Sequence, residues 1–181
     1  ISVLGDRGYF STATVGTMVV DLADPASPRL IGEVGSANQG FDVVTNTWVQ
    51  GDLLFQVNEN SSTINVINVA QVESPTLVQR IETNDSIGIY DLSISDKRLY
   101  AAGLGGQAGE GATYIYDIRD IEIAPPNLLA QIPTGSNTAS AWATSDQSKL
   151  FVTEREAGGR ATAWDISDLN TPVVIDTADA S

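Results

Sequence analysis

The chain is patterned in short runs of alternating apolar and polar residues, rich in Val, Ile, Tyr and Phe, with Gly, Asn, Asp, Ser and Pro between them. Runs of about 4 to 7 residues with a period of two read as half-buried β-strands joined by tight turns, and no stretch holds a helical period for long enough to compete. Between Val43 and Ile81 the pattern predicts four strands, at Val43–Val49, Leu53–Asn58, Thr63–Asn68 and Thr76–Ile81.

The pattern repeats. Met18-Val19-Val20-Asp21, Asn65-Val66-Ile67-Asn68, Tyr114-Ile115-Tyr116-Asp117 and Thr162-Ala163-Trp164-Asp165 each end a strand in a carboxylate or amide, and these last residues stand 47, 49 and 48 apart. Each is followed by a turn and a second apolar run beginning at Pro28, Pro75, Pro126 or Pro172, and preceded by an apolar-aromatic unit that opens a strand. Those units are Gly8-Tyr9-Phe10, Leu53-Leu54-Phe55, Arg98-Leu99-Tyr100 and Lys149-Leu150-Phe151. Aspartate at the strand end can accept backbone N–H bonds within the turn, and the prolines fix φ and stop the ladder.

Four antiparallel strands per period of just under about 50 residues make a β-propeller blade; a β-helix uses shorter coils, and a sandwich does not repeat its sequence. The expected fold is all-β: a β-propeller segment of four four-stranded antiparallel blades, at about 1–35, 36–82, 83–135 and 136–181. Aligning Ser2-Val3-Leu4-Gly5-Asp6 with Trp48-Val49-Gln50-Gly51-Asp52 places Ile1 inside the innermost strand of the first blade. No strand that would close a ring is visible at the other end, so the segment is expected to belong to a larger ring of about six to eight blades. Further blades would come from the same chain or from another copy.

On these residues the chain resembles propellers built from the LVIVD repeat, an apolar run ending in Asp, then a turn like Asp24-Pro25-Ala26-Ser27-Pro28, then another apolar run. Asn68, Val72-Glu73-Ser74 and Pro125-Pro126 depart from that pattern. Lys149-Leu150-Phe151-Val152-Thr153 and Gln131-Ile132-Pro133-Thr134-Gly135 are similar to the related YVTN-type surface-layer propellers. The resemblance implies an architecture and an extracellular or cell-surface location, and it implies no activity.

Charge and composition narrow the field. With 23 acidic and 9 basic residues the net charge is −14, which repels phosphate backbones and anionic headgroups, so nucleic acid is not an expected partner. No apolar run approaches the roughly 18 to 20 residues that would span a bilayer, so membrane insertion is not expected either. The chain has neither Cys nor His, which removes thiolate and imidazole metal sites, cysteine nucleophiles and His-based triads. No cofactor is identified.

In a propeller the loops joining strands two to three and four to one share a face, and binding is expected there or in the central channel. Asp42, Asp85 and Asp91 stand near the starts of inner strands, where carboxylate oxygens could gather Ca²⁺, although no Asp-x-Asp-x-Asp-Gly loop accompanies them. Tyr90 and Trp142 flank the same region and could stack on a sugar, blade packing being the plainer role, as for Trp48 and Trp164. The third blade has the longest loop between strands two and three, the glycine-rich 103–111 with Gln107 and Glu110. It leads into a strand and lacks the Gly-Lys-Ser/Thr ending of a phosphate loop, so it reads as a surface hairpin with some capacity to touch a ligand. The expected function is a non-catalytic secreted or cell-surface module that binds a protein or glycan. The alternatives are a metal-assisted, lactonase-like hydrolase using the three aspartates, and a structural subunit of a surface layer or filament.

Overall fold

A computed structural model describes residues 1–38, 40–105, 111–134, 137–155 and 158–179. Among them sixteen strands form four separate sheets, joined by turns and one short 3₁₀ segment, Ser36–Asn38. The first sheet holds β1 (Ser2–Leu4), β2 (Arg7–Ser11), β3 (Thr17–Asp21) and β4 (Arg29–Val34); the second holds β5 (Asn46–Gln50), β6 (Leu53–Val57), β7 (Thr63–Asn68) and β8 (Thr76–Glu82). The third holds β9 (Ile89–Ser95), β10 (Arg98–Gly103), β11 (Ala112–Asp117) and β12 (Asn127–Pro133); the fourth holds β13 (Thr138–Ala143), β14 (Lys149–Glu154), β15 (Arg160–Asp165) and β16 (Val173–Asp179). Each sheet is an antiparallel meander in chain order, and the first strands of successive sheets adjoin: β1 with β5, β5 with β9, β9 with β13. The four sheets are blades of a β-propeller.

The repeat is structural as well as sequential. Arg7 pairs with Asp21, Leu53 with Asn68, Arg98 with Asp117 and Lys149 with Asp165. This register corrects the sequence alignment of the first blade by one residue, making Tyr9, not Phe10, the equivalent of Phe55, Tyr100 and Phe151. Because strand side chains alternate faces, the one-residue difference puts Phe10 on the opposite side of its sheet.

The strand-end carboxylate or amide does the same work in every blade. Oδ1 of Asp21, Asn68, Asp117 and Asp165 accepts the N–H two residues on, at 3.0, 3.0, 3.1 and 3.0 Å. The N–H of the next residue, in Leu22, Val69, Ile118 and Ile166, crosses to a carbonyl in the turn between the first two strands, on Asp6, Asp52, Lys97 and Ser148. Asn68 therefore departs from the aspartate pattern without loss, since an amide oxygen accepts this bond as a carboxylate does. Two residues after β3 has paired Val19 with Gly32, the pairing resumes at Val20 with Leu30, so β4 carries one extra residue, Ile31; the same bulge recurs with Val78, Leu129 and Ile175.

Side-chain packing between sheets forms the core. Tyr9, Val19 and Val34 of the first blade meet Leu54, Ile67 and Val49 of the second; Phe55, Val66 and Ile64 of the second meet Leu99, Ala101 and Leu92 of the third. Tyr100, Ile115 and Ile132 of the third meet Leu150, Val152 and Ala141 of the fourth. Each fully buried Leu of this series contributes about 1.5 to 3 kcal/mol. Hydrogen bonds set the register of the stack. The buried Gln56 amide donates to Thr17 Oγ1 and the Val34 carbonyl, each at 2.8 Å, while its Oε1 accepts the Phe41 N–H at 3.2 Å, so a polar group inside an apolar seam is satisfied at both ends. Ser93 Oγ donates to the Ala141 carbonyl at 2.6 Å in the seam between the third and fourth blades.

Two substitutions test these repeated turns. Asn68→Asp is expected to leave thermal unfolding unchanged, whereas Asn68→Ala, which removes the acceptor, should cost on the order of 1 kcal/mol in denaturant titration. The first residue of the tight hairpin between strands one and two takes positive φ, 57° at Gly51 and 53° at Asp96. Nothing lies within 4 Å of a Cβ built on Gly51, so Gly51→Ala should cost only the backbone strain, about 1 kcal/mol, while Asp96→Gly should not destabilise.

Candidate binding site at the channel mouth

The loops joining strands two to three and four to one converge around three blades. In β9 the pairing runs Asp91 with Ala102 and then Ile89 with Gly103, so Tyr90 is the extra residue of a bulge on an inner strand. Bulges re-aim side chains, and here the displaced ring supports a cation: the Arg155 guanidinium lies 4.5 Å from the Tyr90 ring centroid. Arg155 follows β14 in the fourth blade, and its backbone N–H is fixed to the Asn137 carbonyl at 2.9 Å. Its Nη1 donates to Glu59 Oε2 at 2.7 Å, and Glu59 belongs to the loop after β6, where its own N–H is held by Thr45 Oγ1 at 2.8 Å. One guanidinium thus spans the fourth, third and second blades.

Beside it is an open cleft of about 460 Å³ lined by Glu59, Asn60, Ile87, Leu104, Asn137 and Arg155. Arg155 and Glu59 keep much of their surface in water, so their pairing contributes little to stability, and a ligand that offers equivalent hydrogen bonds can take over either partner at small cost. The cleft presents a flat aromatic-cation platform, a carboxylate, amides and two aliphatic walls, a set that suits hydroxyl-rich or peptide-like ligands.

Deeper in the channel the Asn46 side chain of β5 donates to Asp91 Oδ1, which also accepts the Leu92 N–H at 2.8 Å. Burial drives the Asp91 carboxyl up from its ordinary 3.8 to about 6, against both hydrogen bonds. Two residues further along the inner strands, Trp48 of the second blade and Trp142 of the fourth meet edge to face, with centroids 5.3 Å apart and planes at 62°. Trp48 also packs on the core between the second and third blades, and Trp164 packs on the core between the third and fourth, as their strand positions suggested. Trp142 remains half exposed.

The three aspartates singled out from the sequence do not act as a set. Asp85 is buried, its Oδ1 taking the N–H groups of Ile87 and Gly88 at 3.0 and 2.8 Å, and its Oδ2 that of Gly105 at 3.0 Å. It pins the turn before β9 to the loop after β10, and a Cβ on Gly103 would stand 2.2 Å from Asp85 Oδ2, so glycine is required beside it. Burial, followed by the Asp85 charge, pushes the Tyr114 hydroxyl up to about 12. Asp42 is exposed and accepts the Ser36 N–H at 2.7 Å, which lowers its pKa. Among the described residues no three acidic side chains gather as a metal cage requires. Tyr90 and Asp91 are brought to the mouth together; Gln107 and Glu110 lie outside the described residues.

Sequence reasoning missed Glu59, Arg155 and Asn46. A signal existed: Glu59 and Arg155 each stand four residues after the strand-two aromatic of their repeat, Phe55 and Phe151, so opposite charges occupy the same loop position two blades apart. Asn46 stands at the repeat position of Asp91.

No protein-family model matches the chain, and no curated protein matches it. Solved structures do. Hydrazine synthase of Kuenenia stuttgartiensis is 18% identical with a TM-score of 0.74, over 98% of this chain and 52% of that one. The β-propeller domain of Cps50 (Swd1) from Myceliophteria thermophila is 11% identical with a TM-score of 0.67, over 97% of this chain and 57% of that one. A protein from Lactobacillus plantarum is 12% identical with a TM-score of 0.74, over 98% of this chain and 54% of that one. These likenesses show the propeller fold, and the chain spans about half the length of the structures it matches.

Asp91 yields a pH-dependent prediction. The folded chain keeps the Asp91 proton between about pH 4 and pH 6, where the unfolded chain has released it, so the charged group costs stability above pH 6 and that cost fades as pH falls towards 4. Asp91→Asn keeps the acceptor for Asn46 and removes the charge. It is expected to stabilise the chain by on the order of 1 kcal/mol at about pH 8, and by nothing near pH 4, in paired urea titrations.

Proposed function

We propose that this chain is a non-catalytic propeller module that binds a protein or glycan partner at the channel mouth, in an extracellular or cell-surface setting. The observation that carries the reading is the Tyr90–Arg155–Glu59 cluster, in which side chains from three blades meet beside an open cleft while contributing little to holding the blades together. Stacking on Tyr90 and bidentate donation by Arg155 would provide affinity and orientation, respectively, for a sugar ring or a peptide. The resemblance to LVIVD-repeat and surface-layer propellers supports the location, and the acidic surface is compatible with it.

The metal-assisted hydrolase is less well supported. Its requirement is converging carboxylates with free oxygens, whereas Asp85 spends its oxygens on backbone amides and Asp42 caps Ser36. The experiment is a glycan array together with a pull-down from surface extracts, run on the wild-type chain, Tyr90→Ala and Arg155→Glu. Both variants are expected to melt as wild type does and to bind the recovered partner at least about tenfold more weakly, a difference of about 1.4 kcal/mol. Undiminished binding by both would remove the mouth from consideration.

A further inference from the structure

The three interfaces between blades are copies of one design, and one half of a fourth copy stands open. On the side of each sheet that faces the following blade, the strand-two aromatic is 2% exposed at Tyr9, 1% at Phe55 and 0% at Tyr100, whereas its equivalent in the fourth blade, Phe151, is 53% exposed. On the third strand the position of Thr17, Ile64 and Thr113 is taken in the fourth blade by Ala161, and that of Val19, Val66 and Ile115 by Ala163. On the fourth strand Val34, Ile81 and Ile132, which pair with Thr17, Ile64 and Thr113, are replaced by Ala178, which pairs with Ala161. Large residues have given way to alanine in three of these columns, leaving an apolar hollow of about 230 Å³ beside Phe151.

Size matching at the built interfaces indicates what would fill it. The knob that enters this region comes from the second strand of the following blade. It is Gln56 against Thr17 and Val34, Ala101 against Ile64 and Ile81, and Val152 against Thr113 and Ile132. The smallest knob meets the two isoleucines, as close packing requires. A socket built from Ala161 and Ala178 calls for the largest knob in the series. The repeat position of Gln56, Ala101 and Val152 in the first blade is Phe10, on the side of that blade turned away from the second, with its ring lying over Gly8. Val3 and Leu30 on the same side are 58% and 55% exposed.

We propose that the open side of the fourth blade docks the first blade of a second copy of this chain, with Phe10 seated between Ala161 and Ala178. Both faces are repeats of surfaces that already mate three times within one copy, so the contact continues an established interface. The interface is heterologous, and repeating it twice closes a ring of eight blades, within the range propellers adopt. That ring would be about twice the length of this chain, as are the structures it matches. The inference is independent of the channel-mouth reading.

Sedimentation velocity on the chain at micromolar concentration tests it, with circular dichroism to monitor folding. A discrete dimer is expected, and Phe151→Asp, which alters an exposed ring and spares the fold, should weaken self-association at least about tenfold. Phe10→Ala should do the same, and adding Ala161→Phe to Phe10→Ala should restore dimers by moving the bulk across the interface. A monomer at every concentration, an open-ended polymer, or a dimer insensitive to Phe10→Ala would each overturn the proposal.

Discussion

A four-stranded antiparallel sheet with apolar side chains on both faces has no stable existence alone in water, and this chain solves the problem by pressing each sheet against the next. Face-to-face burial is the constraint from which the other features follow. It demands that the strand-two aromatic point forward and the strand-two leucine point back, and the alternation of side chains along β6, β10 and β14 delivers both at adjacent residues. It also demands that neighbouring sheets keep one register. The hydrogen bonds of Gln56 and Ser93 supply this, because an apolar seam by itself is indifferent to sliding.

Function, in this architecture, is pushed to the places where the stacking constraint relaxes. The inner ends of the strands and the loops beyond them are free to vary, and there the blades differ most from one another. Tyr90 is displaced by a bulge that has no counterpart in β5, and Arg155 and Glu59 occupy one loop position with opposite charges. Three blades that are near copies in their cores thereby create a single asymmetric feature, which repetition alone would not produce.

The repeat was legible in the sequence because the strand-end turn needs a particular acceptor and because burial on both faces enforces the period-two pattern. The slip in the first blade was not, since Tyr9 and Phe10 are both aromatic and only the position of Arg7 opposite Asp21 decides which faces the second blade. Asp85 looked like a ligand because a carboxylate in a loop is ambiguous until its acceptors are traced to the amides of Gly88 and Gly105. Charged loop residues such as Arg155 carry no periodic signature, so their meeting with Tyr90 depended on three-dimensional placement.

The extra residue carried by each outermost strand, Ile31, Val78, Leu129 and Ile175, has a consequence for solubility. A rim strand that pairs on one side only offers its free N–H and C=O groups as a template for foreign strands, and fibrils grow from straight, uninterrupted templates. A kink at the same point of every rim strand breaks that template into pieces too short to recruit a partner, so a chain made almost wholly of β-structure can be concentrated without seeding cross-β growth.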